Sequence, residues 1–289
     1  MKIKPRCVPC LLQRVIYEAD LVGASESRQQ EVIQQTARCL LDEYGPERAS
    51  SSVATEVHRL AYELLDSDDP YAALKQRSNE MATRLLPAAE TYIRESDDPL
   101  KAAVVCSIVG NSIDYGIAGS ATSPEELEQR FAGDVERGLQ HDDLDRMRGH
   151  LHGEVLYFTD NCGEIVFDRL VCRELKRHHD ISLTLVVKGA PILTDATLED
   201  AEALRFGEVV DDIATTGGFA IGVDMDTLPA GVRQALDDAS LVIAKGMANY
   251  EAFSETAIRP MAYLLKVKCK SISEAMGMPL DGHVVKVYG

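Results

Sequence analysis

The sequence predicts an α/β fold, with an N-terminal helical domain followed by a Rossmann-like, three-layer α/β domain built on a mainly parallel sheet. Three observations predict it. Before residue 150 apolar positions recur at helical spacing and nothing reads convincingly as a strand. After 150, short apolar runs alternate with helical patterns, which is how a sheet covered by helices is written. The first of those runs, Val155-Leu156-Tyr157-Phe158-Thr159, stops abruptly on Asp160-Asn161-Cys162-Gly163-Glu164, so a buried strand delivers polar side chains to a turn that opens a helix. The shift in pattern places the domain boundary between 1–150 and 151–289.

The helical half reads in order. From Cys7 to about Val22, residues Leu11, Leu12, Val15, Ile16 and Ala19 share one helical face, and Gly23 closes the helix. Ser25 or Ser27 caps a second helix through Val32, Ile33, Ala37, Leu40 and Leu41 to Tyr44, stopped by Gly45-Pro46. Helices follow at 52–66, 70–94 and 99–109. The last is almost wholly apolar, as a helix buried on most sides must be, and ends in Gly110-Asn111-Ser112-Ile113-Asp114. Ser123-Pro124-Glu125-Glu126 combines a hydroxyl cap with proline in the first turn and starts a helix to about Gly138. The charged segment His141 to Arg146 bridges the halves. Strands are predicted at 154–159, 181–188, 207–210, 220–223, 241–245, 261–267 and 284–288; no internal repeat or low-complexity tract interrupts them.

Composition excludes several function classes. A chain of 289 residues with 45% hydrophobic and 27% charged residues buries a sizeable core in one large or two medium domains. The net charge is −17, with 26 acidic against 17 basic residues in 1–150 and 21 against 13 in 151–289. Without a basic stripe, such a protein is a poor ligand for nucleic acid, where phosphate neutralisation supplies most of the affinity. No run approaches the roughly 18 apolar residues of a membrane span. Met1-Lys2-Ile3-Lys4-Pro5-Arg6 carries no apolar leader, so the expected location is the cytoplasm. The cysteine count, seven and odd, fits a reducing compartment.

Two later strands end as the first does, in Val187-Lys188-Gly189-Ala190-Pro191 leading to Thr194-Asp195-Ala196-Thr197, and in Ala244-Lys245-Gly246-Met247-Ala248-Asn249. In a parallel sheet all three turns open on one edge, where ligands bind in open α/β folds. That edge gathers Asp160, Asn161 and Asp195 with Lys188 and Lys245. Two carboxylates and an amide oxygen are hard ligands suited to Mg²⁺ or Mn²⁺. A lysine after a strand, followed by a glycine that lets backbone approach, is a phosphate contact. Each turn alone also reads as an ordinary cap or turn former. Three on one edge favour a site.

These residues resemble the metal-dependent damage-control phosphatases. That family's pattern is a strand ending in Asp-Asn-x-Gly-Glu, then Lys-Gly-x-Pro-x-x-x-Asp-Ala-Thr, then Lys-Gly-x-x-Asn; here it is met by Asp160 to Glu164, Lys188 to Thr197 and Lys245 to Asn249. Gly110-Asn111-Ser112-Ile113-Asp114 is similar to the family's Gly-Asn-x-Ile-Asp, and Cys7/Cys10 looks like its archaeal and bacterial branch. The resemblance covers essentially the whole chain. It implies that Asp160, Asn161 and Asp195 hold a divalent metal (Mg²⁺, Mn²⁺, Co²⁺ or Ni²⁺), that Lys245 binds the substrate phosphate, and that Asn111 and Asp114, with Lys188 and Asn249, lie at the substrate cleft. The implied reaction is hydrolysis of phosphate monoesters of small metabolites, often damaged forms, with Asp160 or Asp195 able to take a proton from the attacking water. Glu164 sits where it complements the helix dipole or orients a ligand.

Other signals carry less. Cys7-x-x-Cys10 reads as half a metal site, a redox pair or a packed helix start, and Cys39 can join it by folding. His178-His179 sits at a helix C-terminus, where basic residues are ordinary. Val223-Asp224-Met225-Asp226-Thr227 is one residue short of an aspartyl-phosphate motif and reads as a loop over the cleft. The competing enzyme class, a nucleotide-cofactor oxidoreductase or methyltransferase, expects a G-x-G-x-x-G turn that is absent here. A non-catalytic sensor binding a phosphometabolite would bind without turnover.

Overall fold

The computed structural model describes residues 1–111 and 124–289, so Asp114 and the cap at Ser123 lie outside the described residues. Five helices open the chain: α1 (Cys7–Leu21), α2 (Glu26–Glu43), α3 (Ser50–Leu65), α4 (Ala72–Glu95) and α5 (Pro99–Gly110). Their starts follow local chemistry. Ser25 Oγ accepts from the Arg28 amide at 3.4 Å, and Asp98 Oδ1 from the Lys101 amide at 3.1 Å with proline at the next position. From Ala102 to Gly110 every residue of α5 is buried. α6 (Pro124–Glu136) and α7 (Leu144–Arg148) follow, separated by a two-residue strand, β1 (His141–Asp142). The bridging segment thus contributes an edge strand that its short, charged sequence conceals.

The remaining elements are β2 (Gly153–Phe158), α8 (Glu164–His178), β3 (Ile181–Val187), α9 (Leu198–Ala203), β4 (Asp212–Thr215), α10 (Ala230–Asp238), β5 (Leu241–Lys245), α11 (Gly246–Phe253), β6 (Met261–Lys266), α12 (Lys270–Met276) and β7 (His283–Tyr288). They form one seven-stranded sheet in the order β1-β7-β6-β5-β2-β3-β4. β2 pairs in parallel with β3 and β5, β3 with β4, and β5 with β6, whereas β7 runs antiparallel to β6. From β2 the chain moves outward through β3 and β4, then returns to β5 on the other side of β2 and moves outward again. The reversal puts a topological switch point between β2 and β5, where the carboxyl ends of the strands open a crevice.

Two expected strands are replaced. The apolar run at 207–210 forms a 3₁₀ turn at Phe206–Glu208 that seats Phe206 in the core, and the strand begins after it. Asp211 marks the change, its carboxylate accepting from the Leu183 amide at 2.7 Å before the ladder starts at Asp212. The run at 220–223 is a loop. Gly222 has φ +65°, which a strand cannot hold, and the carbonyls of Ala220 and Gly222 accept from the Lys188 ammonium.

The sheet lies between two layers. One face packs on α4, α5, α6 and α8 through residues such as Val104, Ile108, Phe167, Val155 and Leu264; the other packs on α10, α11 and α12 through Phe158, Leu236, Phe253 and Ile272. Helices α1 to α3 form a further cluster around Val15, Val32, Val53 and Val57. Alternation along β6 sends Ala262 and Leu264 to the α5 side and Tyr263 and Leu265 to the other.

Candidate active site

The three polar turns meet, as a parallel sheet requires, and two of them are stitched together. Ala196 N–H donates to the Asp160 carbonyl at 2.8 Å, Cys162 N–H to the Thr194 carbonyl at 2.7 Å, and Asn161 and Asp195 form an antiparallel bridge. Gly163, at φ +84°, turns the chain into α8 and donates its amide to Asn79 Oδ1 of α4 at 2.6 Å. The third turn crosses directly over Asp160. Gly246 has φ +73°, and a Cβ on it would stand 1.9 Å from Asp160 Oδ2. Only glycine fits there.

Asp160 Oδ2 accepts from Asn111 Nδ2 at 3.0 Å and Asn161 Nδ2 at 2.6 Å. Thr194 Oγ1 donates to Asn161 Oδ1 at 2.6 Å. Asp195 Oδ2 lies 3.3 Å from Lys188 Nζ, yet this buried atom has no hydrogen-bond partner among the described residues. Burial raises the pKa of Asp160 and pushes Asp195 up to about 7, the latter against the pull of Lys188 and with a further push from Asp160. Glu164 is also raised by burial, against the pull of Lys245.

Beneath this wall lies a buried ionic network. Lys245 Nζ donates to Asp168 Oδ1 at 2.8 Å and also to Glu164 Oε1 and Ser107 Oγ; Ser107 and Tyr157 donate to the same Asp168 oxygen at 2.6 and 2.8 Å. Glu164 Oε2 accepts from Asn111 Nδ2. The network therefore ties α5, α8 and β5 to the amide that holds Asp160.

Over the wall opens a cleft of about 450 Å³ whose lining includes Arg14 of α1, Asn111, Asp160, Asp195, Lys266 and Lys268. Among the residues expected from sequence, Asp160, Asn161, Asp195 and Asn111 are brought together at it. Three others stand behind it. Lys245 is fully buried on its three acceptors, so its amine does not face the cleft as a phosphate contact would. Lys188 is buried against Asp195 and the 220–222 carbonyls, and Asn249 is spent on the carbonyls of Thr159 and Lys245 at 2.9 and 2.8 Å. Three cations do line the cleft, Arg14, Lys266 and Lys268, and the Lys268 ammonium donates to the Asn111 backbone and side-chain oxygens beside Asp160. Sequence reasoning passed over Lys268 because it follows the last residue of β6 by two, in a stretch of alternating lysines that reads as solvated surface.

The side signals stay outside this site. Cys7 is half-buried, Cys10 exposed and Cys39 half-buried, all free thiols. No group of three or more His, Cys, Asp or Glu disposed to hold a metal occurs among the described residues. Asp160, Asn161 and Asp195 are two carboxylates and an amide. Two adjacent buried acids share the neighbourhood of one ion-paired lysine, Lys188, Asp195 Oδ2 has no hydrogen-bond partner among the described residues, and the oxygen donors are hard, so these residues fit a divalent cation. His178 pairs with Glu174 at 3.5 Å at the end of α8. The segment 223–227 is a loop closed on itself, with Asp226 N–H and Thr227 Oγ1 both donating to the Asp224 carboxylate, and it does not line the cleft.

Comparison with known proteins places this arrangement. The family model of the damage-control phosphatase ARMT1-like domain matches residues 3–284. The chain is 43% identical over 287 residues to a damage-control phosphatase of Archaeoglobus fulgidus, covering 99% of both. It is 26% identical over 281 residues to a damage-control phosphatase of Pyrococcus horikoshii, covering 96% of both. The crystal structure of a DUF89 family protein from Pyrococcus horikoshii superposes with a TM-score of 0.91 at 25% identity, covering 100% of each chain. No helix among the described residues is long and apolar enough to cross a membrane. With the motifs in place on this sheet and the family model spanning nearly the whole chain, the protein belongs to the damage-control phosphatase ARMT1-like family.

Proposed function

We propose that the protein is a divalent-metal-dependent phosphatase that hydrolyses phosphate monoesters of small metabolites, with Asp160, Asn161 and Asp195 as the metal-holding residues. The observation that carries this reading is the buried Oδ2 of Asp195, without a hydrogen-bond partner among the described residues, beside Asp160: two adjacent acids with a single ion-paired lysine, Lys188. A divalent cation bound there supplies positive charge against the phosphoryl oxygens and lowers the pKa of bound water.

The chain's own groups do the rest. Lys268, held beside Asp160 by the Asn111 oxygens, presents the ammonium that meets phosphoryl oxygens at the cleft wall, and positive charge at those oxygens is what phosphoryl transfer needs most. A proton leaving the attacking water has two acceptors in the cleft, the carboxylates of Asp160 and Asp195. Lys245 acts as a positioning residue, neutralising Glu164 and Asp168 so that Glu164 holds the Asn111 amide on Asp160. Gly246, having no side chain, lets the third turn pass over that carboxylate.

The test is phosphate release from sugar phosphates, nucleotides and phosphopantetheine compounds, with Mg²⁺, Mn²⁺, Co²⁺ or Ni²⁺ and with chelator, for wild type and Asp160→Ala. Expected are metal-dependent turnover and its loss by about a thousandfold or more in the variant, as befits removal of charge stabilisation at the reacting centre. Folded wild type that releases no phosphate with any metal would overturn the reading.

A further inference from the structure

The cleft is lined by three carboxylates, Asp160, Asp195 and Asp281, and by cations that none of the three holds in an ion pair. Three cations line it, Arg14, Lys266 and Lys268, and they come from two directions, α1 on one side and the end of β6 on the other. Lys268 is committed to the Asn111 oxygens beside Asp160. Arg14 and Lys266 have neither an ion pair nor a hydrogen bond among the described residues; Arg14 only stacks toward the Tyr17 ring, its guanidinium carbon 5.9 Å from the centroid. Lys266 continues the Ala262-Leu264 side of β6, so the pleat turns it to the face where the cleft opens.

Other polar groups of this wall are already spent. Tyr71 OH donates to the buried Glu18 at 3.3 Å, Ser78 Oγ to the Leu74 carbonyl at 2.8 Å, and Thr194 Oγ1 to Asn161. The charges are mutually close. Lys268, Lys266 and Arg14 repel one another, while Glu164 and Asp160 attract the Lys268 ammonium. In a chain of net charge −17, two unpaired cations in the same cleft as a third are not an arrangement that solubility alone explains.

We propose that Arg14 and Lys266 form a second anion subsite, so that the preferred substrate carries, besides the phosphate held at Lys268, another anionic group at the far end of a small carbon skeleton. The substrate class is a sugar bisphosphate or a phosphorylated sugar acid rather than a neutral sugar monophosphate. This inference rests on the phosphatase reading for its reaction but not for its binding. Arginine supplies a planar fork for either a carboxylate or a phosphate, and the shared chemistry is a second anion.

The experiment compares kcat/KM for a hexose 6-phosphate, a hexose 1,6-bisphosphate and a 6-phosphohexonate in wild type, Arg14→Gln and Lys266→Gln, with Mg²⁺. In parallel, calorimetry measures binding of the 6-phosphate and the 1,6-bisphosphate to the same proteins in chelator, where no metal-dependent hydrolysis occurs. A charge-assisted hydrogen bond predicts a wild-type preference of about tenfold or more for the doubly anionic compounds, shrinking by about tenfold in each variant. The bisphosphate and the phosphohexonate then tell a second phosphate from a carboxylate. Equal kcat/KM for all three compounds in wild type, or a preference untouched by both variants, would overturn the subsite. If wild type hydrolyses nothing, the phosphatase reading fails alone, and the subsite stands or falls on whether the variants lose the bisphosphate-over-monophosphate binding ratio.

Discussion

Replacing Gly246 by alanine tests the geometry of the site at its tightest point. The added Cβ would sit 1.9 Å from Asp160 Oδ2 and 2.1 Å from its carboxyl carbon, where contacts under 3.0 Å force something to move. The carboxylate has little room to yield, because the same Oδ2 is held by Asn111 and Asn161 and the side chain is 6% exposed. The required displacement is roughly 1 Å, enough to cost about a hundredfold in rate at a reacting centre. Gly246 also has φ +73°, so alanine adds the left-handed strain of about 1–2 kcal/mol. Gly277 separates the two effects, since it has φ +66° and nothing within 4 Å of its would-be Cβ. Urea unfolding should therefore show Gly277→Ala destabilised by about 1–2 kcal/mol with normal kcat/KM, and Gly246→Ala by a further 1–3 kcal/mol from overpacking, with phosphate release down about a hundredfold. Equal destabilisation of the two variants, with Gly246→Ala keeping kcat/KM within about threefold of wild type, would refute the argument that Asp160 is fixed beneath that turn.

Two further outcomes follow from the buried charges. Asp195 has a folded pKa raised to about 7 from the ordinary 3.8, so its contribution to stability is full below the unfolded value and is lost as pH rises through 7. In chelator, thermal melts of wild type should fall relative to Asp195→Asn between about pH 4 and pH 7, and saturating Mg²⁺ should remove that fall; parallel profiles with and without metal would count against Asp195 as a metal-holding group. Lys245→Met removes the only cation on Glu164 and Asp168 among the described residues, leaving both carboxylates buried and unpaired, which costs about 3–5 kcal/mol in urea unfolding. Adding Glu164→Gln should restore part of the loss; a double variant less stable than the single one would show that the network is not held by charge.

The order of helices and the parallel sheet were legible because the signals were local. Serine at 25, proline at 99 and the apolar run of α5 state their own boundaries. Failures came where a residue's partner is distant in sequence. Val209-Val210 looks like a strand, but Phe206 and the Asp211 carboxylate divert it into a turn that only the neighbouring β3 makes favourable. The run at 220–223 is apolar because it packs, and its carbonyls face inward to serve Lys188, 32 and 34 residues away. β1 has two residues, too few for any periodicity, and exists because Gln140 N–H and Asp143 N–H find the carbonyls of His283 and Val285 on β7.

The same limit explains which site residues were found. Asp160, Asn161 and Asp195 follow strand ends, where topology alone fixes position, and no knowledge of side-chain direction was needed. For a lysine, position is not enough. Lys188 and Lys245 close β3 and β5 in the very turns that build the site, yet each points into protein, because buried acids nearby can be tolerated only with a cation: Asp195 beside Lys188, Glu164 and Asp168 beside Lys245. Lys268 and Arg14 line the cleft and form no ion pair among the described residues. A strand-end lysine is therefore a phosphate contact only when its turn has no buried carboxylate to satisfy, and in this chain Glu164 of the Asp-Asn-Cys-Gly-Glu turn was the visible clue that Lys245 was already engaged.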